Sequence, residues 1–457
     1  QSFLDALWLK RDVLGYMMEM CERFPGVPWT VKIPFFPRYL ISTNPDVVRH
    51  VLKDNFGNYV KGPMFHRNMY ELLGDGIFNV DGKKWFVQRK AASILFTSHN
   101  FETHIADTFR ENGRSLMARL ELVRTSGAQI DLSDWFHRYT LDSIGEIAFG
   151  IRVGALDDPQ HAFSKAFGRV QAIVDSRFFE PWWPLRYFSA EERELRTGVR
   201  LLERFAYDLI RTRRATGDYL TRDDVLSRFM RLKDEETGKP YSDRILRDVL
   251  LNFIIAGRDT TAQALSWTTY MVSKHPEVER RIREEVARVI PAGSDAPTYE
   301  ESKNLKYTMA VLKETLRLYP SVPKDGKMSL KEDVWPDGTR IPAGVYVAYV
   351  PYAMGRDEKL WPEPLKFDPQ RFLDDPNPSP FKYPVFNAGP RICLGMRMAL
   401  FEASTALAML YKNYTVKVVP GQDIKPLNSI TLPMANGMFV KVEKAPRVEV
   451  GGGAAAE

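Results

Sequence analysis

One long segment constrains the fold more than any other feature of the chain. Residues Asp243 to Lys274 follow helical periodicity and are apolar on most sides, with a break only at Ala256-Gly257. A helix that is apolar all round is unfavourable on a surface, because its side chains would face water. The segment therefore predicts a protein built around one central helix.

Mainly helix with a small β portion is predicted for the whole chain of 457 residues. Helical patterns dominate from Asn44, a good N-cap, to Lys274. Further helices are predicted over Asn304 to Leu318 and from Leu394 to about Lys412. The β-rich stretches are residues 26–43, 339–354, 414–419 and 438–442, and the last two suggest a terminal hairpin. We interpret residues 1–450 as a single domain and residues 451–457 as a flexible low-complexity tail.

Charge and cysteine content restrict the classes of function. The net charge of +6 suits an anionic membrane or an acidic protein partner, and no nucleic-acid-binding signature is present. The two cysteines, Cys21 and Cys393, exclude a disulfide framework and a zinc site built on cysteines, and they favour a reduced, cytosol-facing environment. No apolar run reaches the roughly 18 residues of a membrane-spanning helix. Because the chain begins at Gln1, we expect that an N-terminal anchor is missing from it.

The most specific pattern surrounds Cys393. Phe386, Gly389, Arg391, Cys393 and Gly395 fall in the order F-x-x-G-x-R-x-C-x-G. A lone cysteine in such a loop is more often structural, but here glycines allow close backbone approach and a helix begins where it would stabilise a thiolate. The pattern resembles the haem-binding loop of cytochromes P450. The resemblance implies the cytochrome P450 fold, Cys393 as the iron ligand and Arg391 at a haem propionate.

Two charged patterns resemble the same family. Trp85 and Arg89, spaced i,i+4 on one helix face, match the family's pair at the haem propionates; the alternative is an ordinary amphipathic helix. Glu314 and Arg317 form E-x-x-R, which alone would be read as a surface ion pair worth under about 1 kcal/mol. With Arg371 in the sequence F-D-P-Q-R-F, the resemblance implies a structural network that holds the cysteine loop.

The break in the central helix resembles the family's oxygen-activation motif, since Ala256 to Thr261 read A-G-R-D-T-T. The resemblance implies that Ala256 and Gly257 make room for O2 and substrate, while Thr260 and Asp259 deliver protons. The alternative is a kinked core helix with a solvated Arg258–Asp259 pair. In animal fatty-acid hydroxylases of the family a glutamate can esterify the haem; the matching residue here is Ala256, which implies non-covalent haem b.

A finer resemblance covers residues 58–90, including Lys61-Gly62-Pro63 and Gly76-Ile77-Phe78-Asn79. It points to the branch with plant and fungal fatty-acid ω-hydroxylases, and it implies O2-dependent hydroxylation of a fatty acid at or near its ω-end. The matching substrate surroundings are mostly apolar, and each buried CH2 contributes about 0.8 kcal/mol. They include Phe78, Phe253, Val322 and Leu432.

The resemblance also implies partners and a location. No flavin or NADPH motif is present, so electrons are expected from a separate NADPH-cytochrome P450 reductase-like donor. Lys83, Lys84 and Lys90 would suit the docking of an acidic donor. We expect a monomer that binds a hydrophobic small molecule and no nucleic acid, on the cytosolic face of the endoplasmic reticulum membrane. The aromatic segment 178–184 is interpreted as an access channel or membrane-touching surface, with plain core packing as the alternative.

Two rival functions stay open. One is a haem-thiolate isomerase or dehydratase that rearranges a hydroperoxide without a reductase. The other is a non-catalytic haem-binding protein. The acid–threonine pair Asp259–Thr260 favours the monooxygenase over both.

Overall fold

The computed structural model describes residues 12–32, 37–96, 105–178, 180, 182–234 and 238–446. The predicted fold class is confirmed, because helices dominate these residues and the strands are few and short. The tail at 451–457 lies outside the described residues. The helices are α1 Val13–Arg23, α2 Pro45–Arg49, α3 Gly62–Leu73, α4 Gly82–Ser93, α5 Ala106–Ser126, α6 Leu132–Phe149, α7 Ala162–Ser176, α8 Ala190–Thr216, α9 Val225–Arg231, α10 Asp243–Lys274, α11 Pro276–Val289, α12 Tyr299–Ser302, α13 Lys306–Leu318, α14 Pro351–Met354, α15 Gln370–Asp374 and α16 Met396–Asn413.

The predicted central helix is α10, and it runs through the core over 32 residues. It packs along α6 and also contacts α8, α13 and α16. Near its C-terminal end, the Trp267 ring stacks on Tyr319 with a centroid separation of 4.1 Å. The indole N–H of Trp267 donates to the Leu432 carbonyl at 2.8 Å, so the C-terminal part of the chain is tied to the same helix.

The β portion of the described residues consists of three small sheets. The strands are β1 Trp29–Val31, β2 Tyr39–Ser42, β3 Tyr59–Val60, β4 Ile130–Asp131, β5 Asp325–Ser329, β6 Asp333–Val334, β7 Arg340–Ile341, β8 Tyr346–Tyr349, β9 Tyr414–Val418 and β10 Phe439–Lys444. The largest sheet has the order β1-β2-β8-β5-β3, in which β2 and β8 are parallel. The predicted terminal hairpin is confirmed as the antiparallel pair β9–β10, which β4 extends to three strands.

Local chemistry sets several helix ends. The Asn44 side chain accepts from the Asp46 N–H at 2.9 Å and caps α2, as its position before Pro45 predicts. Helix α10 begins after Ser242, whose hydroxyl accepts from Ile245. Helix α13 begins two residues later than predicted, at Lys306, and ends at Leu318 before Pro320.

One end of the molecule exposes apolar side chains. Trp182, Leu185, Tyr187 and Phe188 follow α7, and Leu185 and Phe188 are 87% and 83% exposed. Within the part of the chain that the structure describes, no helix is both long and apolar enough to span a bilayer.

Candidate active site

An interior cavity of about 390 Å³ joins the central helix to the cysteine loop. Its wall is contributed by α10, the loop 384–395, the start of α16, α4, and the strands β5 and β8. Cys393 lies on this wall with its side chain exposed to the cavity. Phe386, Arg391 and Gly395 lie on the same wall, as do Trp85 and Arg89. The structure therefore gathers these six predicted cofactor residues from two distant parts of the chain around one space, whereas Gly389 lies outside the wall.

A backbone hydrogen bond closes the cysteine loop, and N–H groups lie near its sulfur. The Cys393 N–H donates to the Phe386 carbonyl at 2.9 Å. Burial raises the pKa of the Cys393 thiol, while the N–H groups of Gly395 and Met396 and the Arg89 guanidinium act in the opposite direction. These donors favour a thiolate, which is the form that binds a metal. The sulfur is thus held and polarised as a metal ligand requires.

Gly389 has a steric role in this loop. Its φ of +64° lies in the left-handed region. A Cβ at this position would lie 2.0 Å from the Leu52 carbonyl oxygen. A glycine is therefore required for two independent reasons, the backbone conformation and the contact with the turn at residues 50–54.

Four cations lie at one end of the cavity. Lys61, Arg89, Lys327 and Arg391 all line it. Two carboxylates accompany them: Asp81 accepts from Arg391 at 2.7 Å, and Asp325 accepts from Lys61 at 2.6 Å. The cluster therefore contains two more basic than acidic side chains. A haem has two propionates, so the residues present fit its charge as well as its axial ligand.

Lys327 is the most deeply buried cation of this cluster. It is almost fully buried, and burial, opposed by Asp325 but reinforced by Lys61 and Arg391, lowers its pKa to about 7. An anionic group beside it would restore the ammonium. Sequence reasoning missed Lys327, Asp325 and Asp81, although Asp81 precedes the motif that contains Trp85. The only signal for Lys327 was a lysine at an inward position of a short strand, next to glycine.

Two residues in the middle of the central helix are less deeply buried than their neighbours. Between Leu246 and Thr269 every residue of α10 is buried except Ala256 and Thr260, which lie one turn apart and line the cavity. The Thr260 hydroxyl donates to the Ala256 carbonyl at 2.8 Å, the bond predicted from sequence. Gly257 also lines the cavity, but a Cβ there would lie 2.6 Å from the Ile144 side chain of α6. Gly257 therefore also permits close helix packing.

Asp259 faces a different cavity, of about 250 Å³, together with Arg258 and His137. The sequence placed it beside Thr260 in one relay, but adjacent residues of a helix point in different directions. Arg258 donates to one oxygen of Asp259, and the other oxygen is buried with no hydrogen-bond partner among the described residues. Burial raises the pKa of Asp259 and, with Arg258 nearby, lowers the pKa of His137 to about 3. The Arg258–Asp259 pair is therefore buried, not solvated.

A thin polar wall separates the two cavities. Thr431 lines both, and its hydroxyl oxygen accepts from Gln171 at 3.0 Å and from Gln263 at 2.8 Å. A proton path from the Asp259 carboxyl to the Thr260 hydroxyl would have to pass this wall. The two side chains of the predicted relay therefore lie in separate cavities.

Glu314 and Arg317 form a fully buried pair, with both side chains 0% exposed and two hydrogen bonds of 2.7 and 2.8 Å. Arg317 also donates to the carbonyls of Gly355, Pro364 and Lys366. Arg371 approaches Glu314 at 3.6 Å. The network thus fastens α13 to residues 355–371, the stretch that precedes the cysteine loop. Tyr383, which directly precedes the cysteine loop, donates to the Lys313 carbonyl at 2.7 Å and so links the start of the loop to the same helix.

Three of the four predicted substrate residues, Phe78, Phe253 and Val322, line the cavity. Leu432 does not, because its side chain is fully buried in the core and its backbone is held by Gln263 and Trp267. Its neighbours Ile430 and Thr431 occupy the wall instead. Phe178 of the aromatic segment also lines the cavity, whereas Phe179 and Pro181 lie outside the described residues.

Comparisons with known proteins agree with this geometry. The family model described as Cytochrome P450 matches residues 2–445. The chain is 36% identical to Cytochrome P450 704B1 of Arabidopsis thaliana over 91% of this chain and 88% of that protein. It is 40% identical to Cytochrome P450 86B1 of the same plant over 88% and 76%. It is 33% identical to Cytochrome P450 monooxygenase cyp1 of the fungus Mycosarcoma maydis over 96% and 73%.

Proposed function

Since the chain belongs to the cytochrome P450 family of haem-thiolate monooxygenases, we propose that its substrate is a fatty acid, which it hydroxylates at or near the ω-end. The observation that carries the proposal is the cavity that joins Cys393 to a largely apolar wall. Phe65, Phe78, Phe178 and Phe253 contribute to that wall. A long alkyl chain would gain about 0.8 kcal/mol for each CH2 that leaves water.

Cys393 would hold the haem b iron, and the cations Lys61, Arg89, Lys327 and Arg391 would hold its propionates. Trp85 supports both arginines, which lie over its ring at 5.8 Å and 4.6 Å. When bound, a thiolate-ligated haem supplies the activation of O2 that the reaction needs. Ala256 offers no carboxylate for an ester to the haem, so non-covalent binding is proposed.

Protons would reach the cavity along α10. Thr260 presents its hydroxyl on the cavity side, bonded to the Ala256 carbonyl. Asp259 holds an ionisable carboxyl on the other side of the helix, in contact with Arg258. In this proposal Asp259 takes protons from the second cavity, and side-chain rotation or ordered water past Thr431 carries them to Thr260.

Electrons would come from a separate NADPH-dependent reductase. Lys83, Lys84 and Lys90 are exposed on α4, the helix that also carries Trp85 and Arg89. We propose membrane contact through the exposed apolar patch of Trp182, Leu185, Tyr187 and Phe188. This patch comes shortly after Phe178 in the sequence, and Phe178 lines the cavity. We also propose that the haem domain, residues 1–450, acts as a monomer on the cytosolic face of the endoplasmic reticulum.

A spectral binding screen tests the proposal. The purified haem protein is titrated with saturated fatty acids of graded length, and bound chains are turned over with NADPH and reductase for product analysis. We expect a high-spin shift and hydroxylation near the chain end. A hydroperoxide rearranged without reductase would support the isomerase instead, and haem binding with no shift or product from any lipid would support a non-catalytic protein.

A further inference from the structure

We propose that Asp175 and Lys324 form a polar subsite that binds a hydroxyl group of the substrate, within the otherwise apolar part of the active-site cavity. This inference rests on the proposed function, because it concerns the substrate of the same cavity. It adds that the preferred chain is a hydroxylated fatty acid.

The Asp175 carboxylate is an acceptor without a donor. Asp175 is the penultimate residue of α7; it is 6% exposed and lines the cavity. No residue that the structure describes donates a hydrogen bond to its carboxylate, whereas its main-chain carbonyl accepts from the N–H groups of Arg177 and Phe178. Buried carboxylates are rarely left without donors. A donor from a ligand in the cavity would meet this need.

Lys324, which is far from Asp175 in the sequence, supplies the complementary donor. It follows α13, lines the same cavity, and donates to the Asn428 side-chain oxygen at 2.8 Å and the Ser429 carbonyl at 3.3 Å. Its charge attracts Asp175: burial raises the pKa of Asp175 and lowers the pKa of Lys324, and each shift is opposed by the other residue. These two residues therefore form an electrostatic pair on the cavity wall.

The opposite charges of Asp175 and Lys324 determine which substrate group can bind between them. The pair sums to zero, so it gives a substrate carboxylate no net attraction, and Asp175 would repel it. The excess of positive charge in the cavity lies elsewhere, at Lys61, Arg89, Lys327 and Arg391. A hydroxyl can donate to the Asp175 carboxylate and accept from the Lys324 ammonium through one oxygen atom. An alkyl chain passing the pair would leave the Asp175 carboxylate without a donor.

The test measures dissociation constants by calorimetry on the haem-loaded protein. The ligands are hexadecanoic acid and a panel of its mono-hydroxylated derivatives, which are positional isomers of one another. We expect one isomer or a cluster of neighbouring isomers to bind about ten-fold more tightly than the parent acid, since hydrogen bonds to charged groups are the stronger ones. In Asp175→Leu the preference should fall to within about two-fold, with parent-acid binding unchanged or tighter.

Controls separate a binding role from a structural one. Asp208→Leu makes the same chemical change on an exposed face of α8 and should keep the preference. If Asp175→Leu does not fold, the double variant Asp175→Leu/Lys324→Met removes both charges together and carries the same expectation. Equal affinity for all chains in the unaltered protein would overturn the inference and leave the fatty-acid assignment standing. If no chain of either kind binds, the fatty-acid assignment itself fails.

Discussion

The two cysteines have opposite environments although both are thiols inside the protein. Cys21 is packed against Val13, Trp29 and their neighbours, and burial raises its pKa to about 12. Cys393 is exposed to the cavity and receives the N–H groups of Gly395 and Met396. Cys393 therefore has the access to the cavity and the neighbouring donors that a thiolate ligand needs, and Cys21 lacks the access.

This contrast gives a matched pair of substitutions. Cys393→Ser should abolish the absorption band of the reduced carbon monoxide complex that is characteristic of thiolate ligation, because a hydroxyl does not replace the thiolate. Cys21→Ser should retain the band. The measurement is a difference spectrum of each reduced protein with carbon monoxide, and an intact band in Cys393→Ser would reject the assignment.

Lys327 predicts a dependence of stability on pH in the haem-free protein. Its folded pKa of about 7 lies below the ordinary lysine value of about 10.4, so between these values the unfolded chain binds more protons. The free energy of unfolding should therefore rise with pH across this window. Below about pH 7 the protein bears the full cost of a buried ammonium, on the order of a few kcal/mol.

Lys327→Met removes this effect. The variant should be more stable than the unaltered protein near pH 6, and its advantage should shrink as the pH approaches about 10. Denaturant unfolding at a series of pH values measures the difference. Haem-loaded protein provides the control, because propionates beside Lys327 should flatten the dependence; a pH-independent difference in haem-free protein would contradict the prediction.

The contrast between Cys393 and Lys327 shows what a single sequence reveals. Cys393, Arg391 and Gly389 follow one another at fixed spacing, so their pattern is local. Lys327 acquires its lowered pKa from burial near Lys61 and Arg391, which are far from it in the chain. Such a cluster exists only once β5 is packed against its neighbours, and no short motif encodes it.

At the scale of elements, the contact between α6 and α10 depends on Gly257. A Cβ at Gly257 would lie 2.6 Å from two carbons of the Ile144 side chain and 2.9 Å from its Cβ, which cannot rotate away. The position therefore fixes how closely the central helix packs against its main neighbour.

Gly257→Ala should lower the free energy of unfolding by about 1–3 kcal/mol through overpacking. Gly168→Ala provides the control, since Gly168 lies in α7 with open space at its Cβ position and helix propensity predicts a gain of up to about 1 kcal/mol. Urea unfolding of both variants tests the pair. Equal effects of the two substitutions would show that helix propensity, not the contact with Ile144, decides the outcome.

The elements that could be predicted are the long ones. Periodicity over 32 residues identified α10, and alternation identified the β9–β10 hairpin. Strands of two residues such as β3 and β4 have no periodic signal, because they exist through pairing with β5 and β10. Side-chain direction was predicted least well, as Asp259 and Leu432 show.

For the whole molecule, a basic surface predicts salt-dependent electron transfer. Lys83 and Lys84 are exposed on α4, beside the cavity residues Trp85 and Arg89. An acidic reductase that docks there would associate more slowly at high ionic strength.

The variant Lys83→Glu/Lys84→Glu should slow reduction by the reductase about ten-fold at low salt, and its rate should depend less on salt. Lys441→Glu, on the exposed side of β10, should retain the unaltered rate. Stopped-flow reduction at several ionic strengths measures both. Equal rates for the two variants would place the docking surface elsewhere.

Neighbouring residues of α10 face separate cavities, Ala256 and Thr260 on one side and Arg258 and Asp259 on the other. The two sides have different neighbouring side chains, apart from Thr431, which lines both cavities. Evolution can therefore reshape the chamber beside Cys393 without disturbing the charged pair behind the helix. Laboratory libraries can vary one face at a time, although the two faces alternate within five consecutive positions of one sequence.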